Sequence, residues 1–424
     1  PFLVGALSDA MGIRRTLLIA FAICLGTRLV IAFAGHPLLA PALGLIPMTL
    51  GVAMTIPVMV AAARRYTNKA QRSMAFALLY VLMNVGFVIA GKLFDVVRNF
   101  MGKDGTFRVP LLGSELSVYE TIFLISAAFT LVGLLAVLAI RDGVEMPDEG
   151  DTLIHQPTGA EGSTEGGGLR AVGAVMAKTG RIFAEVFRES AFYRFLLLLT
   201  VVVGVRLVFY HMHYTLGPYA DRELGYGSRF GTAWGVLNPL MIVFLTPIVG
   251  ALAQKISSYR MIIVGTTICA GSTFLLVLPN NAFVGLVDTW LGGAIKSFLS
   301  VDGDLAPLYV TLIIFAFLFS IGEAIWSPRL YEYTASVAPK GRESTYMGLS
   351  LLPLFVAKLT VGPLSGFLLG RYCPAEGTRN SAMLWLVVAT MAAISPVLML
   401  ILKNVIRPHS RQEEEDSASK EVSR

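Results

Sequence analysis

Glu323 interrupts an otherwise apolar run, residues 307–330, where an ionised carboxylate at mid-bilayer costs about 2.5–3.5 kcal/mol. A carboxyl group held at that cost faces a cavity or meets a cation, and there it can carry a proton as well as bind a substrate amine. Ser320 and Ser327 share its helical face, three residues back and four on, so this run carries one polar stripe. The other reading of Glu323 is a fixed ion pair with Lys358. Arg206, Tyr210 and His213 recur at i, i+4 and i+7 along the run 191–215. Arg stays charged in any such setting, so this face is expected to look inward and to suit a substrate carboxylate. His211 and His213 titrate near neutral pH and can relay protons; each can equally be an interfacial side chain at the outer end of its run. Arg28, midway along 16–34, is the other embedded cation, and a lone Arg there can equally serve as a clamp between helices. Asn84 and Asn238 either hold polar groups of a solute or hydrogen-bond between helices, a use worth roughly 0.6–2 kcal/mol.

The elements that position these residues follow from composition. Of 424 residues, 55% are hydrophobic and 15% charged, against about 25% charged in an average soluble domain. The apolar residues form blocks of about 20, long enough to cross a hydrocarbon core of roughly 30 Å as a helix. The expected spans are 16–34, 38–62, 74–94, 118–140, 191–215, 230–253, 260–278, 307–330, 345–369 and 381–402. A closed barrel is excluded, because the blocks do not alternate in polarity. A soluble enzyme or a nucleic-acid binder is excluded too: the net charge of +6 is loop basicity. No Walker loop, zinc spacing, catalytic triad or nucleotide fingerprint appears, so no catalytic residue, metal or cofactor is expected. Cys24, Cys269 and Cys373 read as packing residues. The proline residues Pro41, Pro47, Pro57, Pro239, Pro247, Pro353 and Pro363 are expected to break ladder bonds and let the spans bend.

Lys and Arg on one alternate set of loops outnumber those on the other by more than two to one, which makes the first set, with the central linker and the C-terminus, cytoplasmic. Six spans follow residue 190 and four precede it. GALSDAMGIRR (Gly5 to Arg15) and GALAQKISSYR (Gly250 to Arg260) repeat a short loop in each half, which implies a parallel six-plus-six architecture. On that plan the chain begins inside a second helix, and the first is missing. The expected organisation is an N-terminal bundle over 1–140, a cytoplasmic linker over 141–190, a C-terminal six-helix bundle over 191–406 and a disordered charged tail over 407–424. Within the linker, 149–168 has a flexible, mildly acidic composition. Leu169, Val172, Met176, Phe183, Val186 and Phe187 fall on one face, as either an amphipathic helix on the inner leaflet or a tether.

Gly5-Ala-Leu-Ser-Asp9 followed by Gly12 and Arg14-Arg15 resembles the signature loop of the major facilitator superfamily, whose Asp and Arg groups latch the cytoplasmic side. The second copy has Gln254 where the first has Asp9. Three further stretches are similar to the proton-dependent oligopeptide transporters, a branch of that superfamily: Tyr80-x-x-x-Asn84-x-Gly86; Leu237-Asn238-Pro239 followed by Pro247; and Gly322-Glu323 with Ser327-Pro328, Ala338-Pro339-Lys340-Gly341 and Tyr346-Met347-Gly348. The resemblance implies an all-α membrane protein with the major facilitator fold. It implies that Asn84 and Asn238 hold substrate backbone groups and that Glu323 meets the substrate amine, with Tyr80 of the same motif a further substrate-binding candidate. Two departures stand out. Thr55 and Pro57 lie where the family's fourth helix has a Lys before its Pro, so Arg28 is a candidate for that role. The helix with the family's proton-coupling Glu/Arg cluster is absent.

The expectation is therefore a secondary transporter, a proton-coupled importer of small peptides. Substrate would be held by Asn84, Tyr80, Asn238, Glu323 and Arg206. Glu323, His211 and His213 would couple protons, and Gly5, Asp9, Gly12, Arg14 and Arg15 would form the cytoplasmic gate. The alternatives are a transporter of a drug, sugar or organic acid on the same fold, and a membrane enzyme or receptor that does not transport. The expected partners are the solute, protons and the bilayer of a plasma or inner membrane, with the protein a monomer.

Overall fold

The computed structural model describes residues 12–34, 38–110, 113–141, 144–146, 154–155, 190–252, 256–337 and 352–403. In chain order the helices are α1 (Ile13–Phe33), α2 (Ile46–Arg65), α3 (Lys69–Met101), α4 (Val118–Leu138), α5 (Ser190–Tyr214), α6 (Leu216–Leu224), α7 (Leu237–Leu252), α8 (Ser258–Thr273), α9 (Trp290–Leu299), α10 (Pro307–Val337), α11 (Leu352–Tyr372) and α12 (Ser381–Ile401). Each expected apolar block is helical over its described residues apart from one or two at its ends. Among the described residues, seven helical spans are long and apolar enough to cross a membrane, and α5 with α6, bent by 51°, makes an eighth. Many large apolar side chains point outward, Phe244, Leu252, Phe355 and Phe367 among them, as lipid-facing surface does.

Local chemistry explains where the elements start and stop. Asn68 caps α3 by accepting from the Gln71 amide at 2.9 Å, and α3 ends at Gly102, whose φ of 73° favours glycine. With no breaker after residue 94, α3 runs on to Met101, so Arg98, beyond the expected span 74–94, is helical. Ser117 and Glu120 form a capping box at the start of α4. A π-helical stretch, Ala40–Leu45, contains Pro41 and leads into α2, whose second residue is Pro47. A second π-helical stretch, Gly231–Val236, leads into α7 just before Pro239. A proline supplies no N–H, and a widened turn is one way a helix absorbs the loss.

Two features depart from expectation. The short helices α6 and α9 occupy what read as loops. Within the stretch expected as a flexible linker, Ile154–His155 pairs antiparallel with Val144–Glu145. The expected helix over 169–188, the tail over 407–424, Gln254, and 338–351 with their Pro-Lys-Gly and Tyr-Met-Gly motifs lie outside the described residues.

The chain divides into two compact units, Pro1–Met83 with Val96–Phe183, and Asn84–Asp95 with Ala184–Arg424. In the first, Ile13, Leu17 and Ala20 of α1 pack against Met54 and Val58 of α2 and Val137 of α4. Strands β1 (Phe107–Arg108) and β2 (Glu115–Leu116) form a hairpin between α3 and α4. In the second, Ser395 of α12 accepts from the Val205 amide and donates to the Val201 carbonyl, tying α12 to α5. The Tyr259 hydroxyl of α8 donates to Met399 of α12 at 2.6 Å. Helices α8 and α10 meet backbone to backbone. A β-carbon built on Gly265 would lie 2.6 Å from the Gly322 carbonyl oxygen and 2.8 Å from the Trp326 backbone nitrogen. Only glycine lets these two backbones meet, and that meeting sets the rotation of α10 and so the direction of Glu323.

Candidate functional site

Glu323 is buried on α10 with Ser320 one turn before it. Ser320 donates its hydroxyl to the Ala316 carbonyl at 2.7 Å, which leaves the oxygen free to accept. Asn238, at the head of α7, donates its amide nitrogen to Ser320 Oγ at 3.0 Å and to Glu323 Oε2 at 2.9 Å. Oε2 is thereby held as an acceptor whether or not the acid is ionised. Oε1 faces α5, where the Arg206 guanidinium stands 3.9 Å away, and both side chains keep 11% exposure. This is an ion pair without a hydrogen bond.

Aromatic rings wall the pair. The Arg206 guanidinium lies 4.8 Å from the Trp326 ring centre and 5.6 Å from that of Phe209, a contact that can stabilise a desolvated cation by about 2 kcal/mol. Trp234 stacks on Phe315 at 5.9 Å and meets Phe319 edge-on at 5.5 Å. The Arg206 Nε has no hydrogen-bond partner among the described residues. The arrangement is an acid with one oxygen fixed and one loosely paired, beside a cation with donors to spare.

The structure therefore brings Arg206, Asn238, Ser320 and Glu323 together. Arg206 was expected to wait for a substrate carboxylate, whereas here it faces Glu323. The alternative partner, Lys358, is exposed and sits 5.3 Å from the Tyr210 ring centre. Asn84 is buried in the same unit as this set, while Tyr80, on the same helix, is 41% exposed and belongs to the other unit. His211, read as either a relay or an interfacial residue, is fully buried, and its Nδ1 meets Thr215 Oγ1 at 2.7 Å, which in turn meets Ser365 Oγ at 2.7 Å. His213 is exposed and donates from Nδ1 to the Phe209 carbonyl at 2.9 Å. Arg28 lies beside the Cys24 thiol one turn earlier on α1.

Of the motif expected to form the cytoplasmic gate, Gly5 and Asp9 lie outside the described residues. Gly12 precedes α1 with φ 84°. Arg14 donates to the Leu138 carbonyl at the end of α4 at 2.9 Å, and Arg15 is exposed. In the first unit an open cleft of about 630 Å³ is walled by apolar side chains, Leu29, Val97, Phe100 and Leu124 among them, with Thr121. Its lining suits hydrocarbon rather than a polar solute, so it is set apart from the charged site. Among the described residues, no group of three His, Cys, Asp or Glu side chains can hold a metal.

Sequence reasoning passed over Trp326, Trp234, Thr215 and Ser365. Trp326 had a readable signal, since it follows Glu323 by three residues on the same face of α10.

The model of the Major Facilitator Superfamily matches residues 1–300. A search of curated protein sequences gives no match. Among solved structures, a POT peptide transporter is similar at 16% identity and a TM-score of 0.64, over 95% of this chain and 82% of that one. A POT family transporter in complex with 5-aminolevulinic acid is similar at 15% identity and a TM-score of 0.60, over 96% and 86%. The nucleoside transporter NupG is similar at 12% identity and a TM-score of 0.60, over 95% and 86%. At such identities the likeness is one of fold, an all-α membrane fold shared with transporters of different solutes. With more than half its length matched by the family model, this multi-pass integral membrane protein belongs to the Major Facilitator Superfamily of transporters.

Proposed function

We propose that this transporter is a proton-coupled symporter of small peptides, working by alternating access between two helical bundles. The observation that carries the reading is the Arg206–Glu323 pair, 3.9 Å apart with 11% of each side chain accessible. A zwitterionic solute of peptide size offers an amine to Glu323 and a carboxylate to Arg206, and so can replace each partner of the pair with one of its own charges. When no amine is present and Arg206 has turned to a carboxylate, Oε1 is the atom free to take a proton, since Oε2 is engaged by Asn238. Asn238, with Asn84, is then the holder of polar backbone groups, and Arg14 and Arg15 belong to the cytoplasmic gate. In this reading His211 and His213 also pass protons, and the Lys/Arg-rich loops face the cytoplasm.

Uptake into proteoliposomes tests this, using a panel of dipeptides and tripeptides with and without an imposed pH gradient. Accumulation above equilibrium is expected only with the gradient, and Glu323→Gln is expected to abolish it. Gradient-driven accumulation that persists in Glu323→Gln would remove Glu323 from the coupling. A second reading, transport of a solute with a planar ring, draws on the Trp234–Phe315 stack beside the pair. Competition between labelled peptide and unlabelled nucleosides separates the two.

A further inference from the structure

We infer that Asp95 is a latch: by capping the backbone amides that open the π-helical stretch before α7, it closes a glycine-lined seam between α3 and that stretch, and its release opens the seam. Asp95 is 1% exposed. Its Oδ1 accepts from the Gly231 amide at 3.1 Å and its Oδ2 from the Thr232 amide at 2.5 Å. These amides begin a helical run to Leu252 and have no carbonyl of their own turn to meet, so a carboxylate there gains both hydrogen bonds and a favourable dipole. The contact belongs to the second unit, which includes Asn84–Asp95 of α3.

The seam beneath the latch is built for close approach. A β-carbon on Gly91 would lie 2.8 Å from the Gly231 carbonyl oxygen and 2.9 Å from the Gly235 carbonyl carbon. One on Gly231 would lie 2.7 Å from the Gly91 oxygen. Phe94 meets Phe230 edge-on at 5.4 Å, and Lys92 donates to Ser300 at 3.2 Å. Backbone-to-backbone contact of this kind has little side-chain area to hold it, so two charge-assisted hydrogen bonds are a large share of what keeps it shut. The latched stretch runs straight into Asn238, which grips Glu323. A change at Asp95 is therefore transmitted along one continuous helix to the acid. The role of this latch in transport rests on the alternating-access reading above, but its opening is measurable without any solute.

The test is alkylation of a reporter cysteine in the full chain reconstituted in lipid nanodiscs. Thr232→Cys places the reporter at the seam, where Thr232 is 1% exposed. Native Cys269, fully buried between α8 and α10, reports general loosening. With Asp95 intact, slow maleimide labelling of the reporter is expected. In Asp95→Ala the rate is expected to rise by about tenfold or more, as loss of both charge-assisted bonds implies, with Cys269 unchanged. Asp95→Asn, which keeps one acceptor, is expected to fall between. Gly91→Ala is expected to wedge the seam and raise labelling by a steric route. Labelling indifferent to all three substitutions, or rising in step with Cys269, would overturn the proposal. If the seam responds as described but no peptide is transported, the latch stands and the substrate reading fails.

Discussion

The Arg206 guanidinium faces Glu323 Oε1 at 3.9 Å, while the opposite oxygen of the same carboxylate is hydrogen-bonded by Asn238. Removing one partner of a buried ion pair costs about 3–5 kcal/mol, chiefly because the remaining charge is stranded. The long separation and residual exposure here point to the lower end of that range. Arg206→Met is therefore expected to destabilise the protein by about 3 kcal/mol. Adding Glu323→Gln should recover a good part of the loss, because no charge is then left alone. Thermal unfolding of the two single variants and the double in one detergent measures the coupling, and strictly additive losses would show that the pair does not interact.

The approach of α8 to α10 makes a second expectation. Gly265→Ala puts a methyl group 2.6 Å from the Gly322 oxygen, a backbone atom that cannot turn aside. Overpacking of this kind costs about 1–3 kcal/mol, and here it also rotates α10 and the acid it carries. Gly322→Ala should behave alike. Trimming Cys269 to Ala should not rescue it, because the new β-carbon meets the Gly265 carbonyl at 2.7 Å as well as the thiol. A rescued variant, with native thermal stability, would mean that the helices pack through side chains alone.

These contacts mark where sequence reading stops. The helices were legible because blocks of about 20 apolar residues have no other stable form in a bilayer. Glu323 and Arg206 were legible as embedded charges, and the stripe Ser320–Glu323–Ser327 as a face. Their mutual pairing was not legible, since helical periodicity gives a residue's face but not the neighbour across from it. Lys358 was the alternative by chain proximity, yet it turned to the Tyr210 ring. Asp95 carried no legible role, because its partners are the backbone amides of Gly231 and Thr232, and amides carry no sequence signature. The break between α5 and α6 did have a signal, the Gly217-Pro218 pair just past the expected span 191–215.

His211, Thr215 and Ser365 form a buried chain that pins the bend between α5 and α6 to α11. Thr215→Val keeps the shape and removes the hydroxyl, leaving His211 Nδ1 and the Ser365 hydroxyl without their shared partner. Such buried polar groups cost about 1–3 kcal/mol when unpaired, so the thermal midpoint should fall. Thr215→Ser should restore it. If His211 passes protons through this chain, Thr215→Val should also lower proton-driven uptake more than exchange of labelled for unlabelled solute at equal pH. Equal losses in the two assays would leave the chain a structural tie only.

Asn238 offers a reversal of donor and acceptor. In Asn238→Asp two carboxylates would meet near 2.9 Å, and two such groups cannot both be ionised at that distance. One must hold a proton, and the Ser320 contact loses its donor. Asn238→Asp alone is thus expected to lose stability by about 1–3 kcal/mol. Combining it with Glu323→Gln places a donor on α10 opposite an acceptor on α7 and restores the hydrogen bond with its direction inverted. The double variant should therefore unfold at a higher temperature than Asn238→Asp, although it carries one more substitution in the site. It should still fail to accumulate solute against a gradient, because its carboxylate now sits on α7, away from Arg206. A double variant no more stable than Asn238→Asp would mean that the contact between these two side chains does not bind α7 to α10.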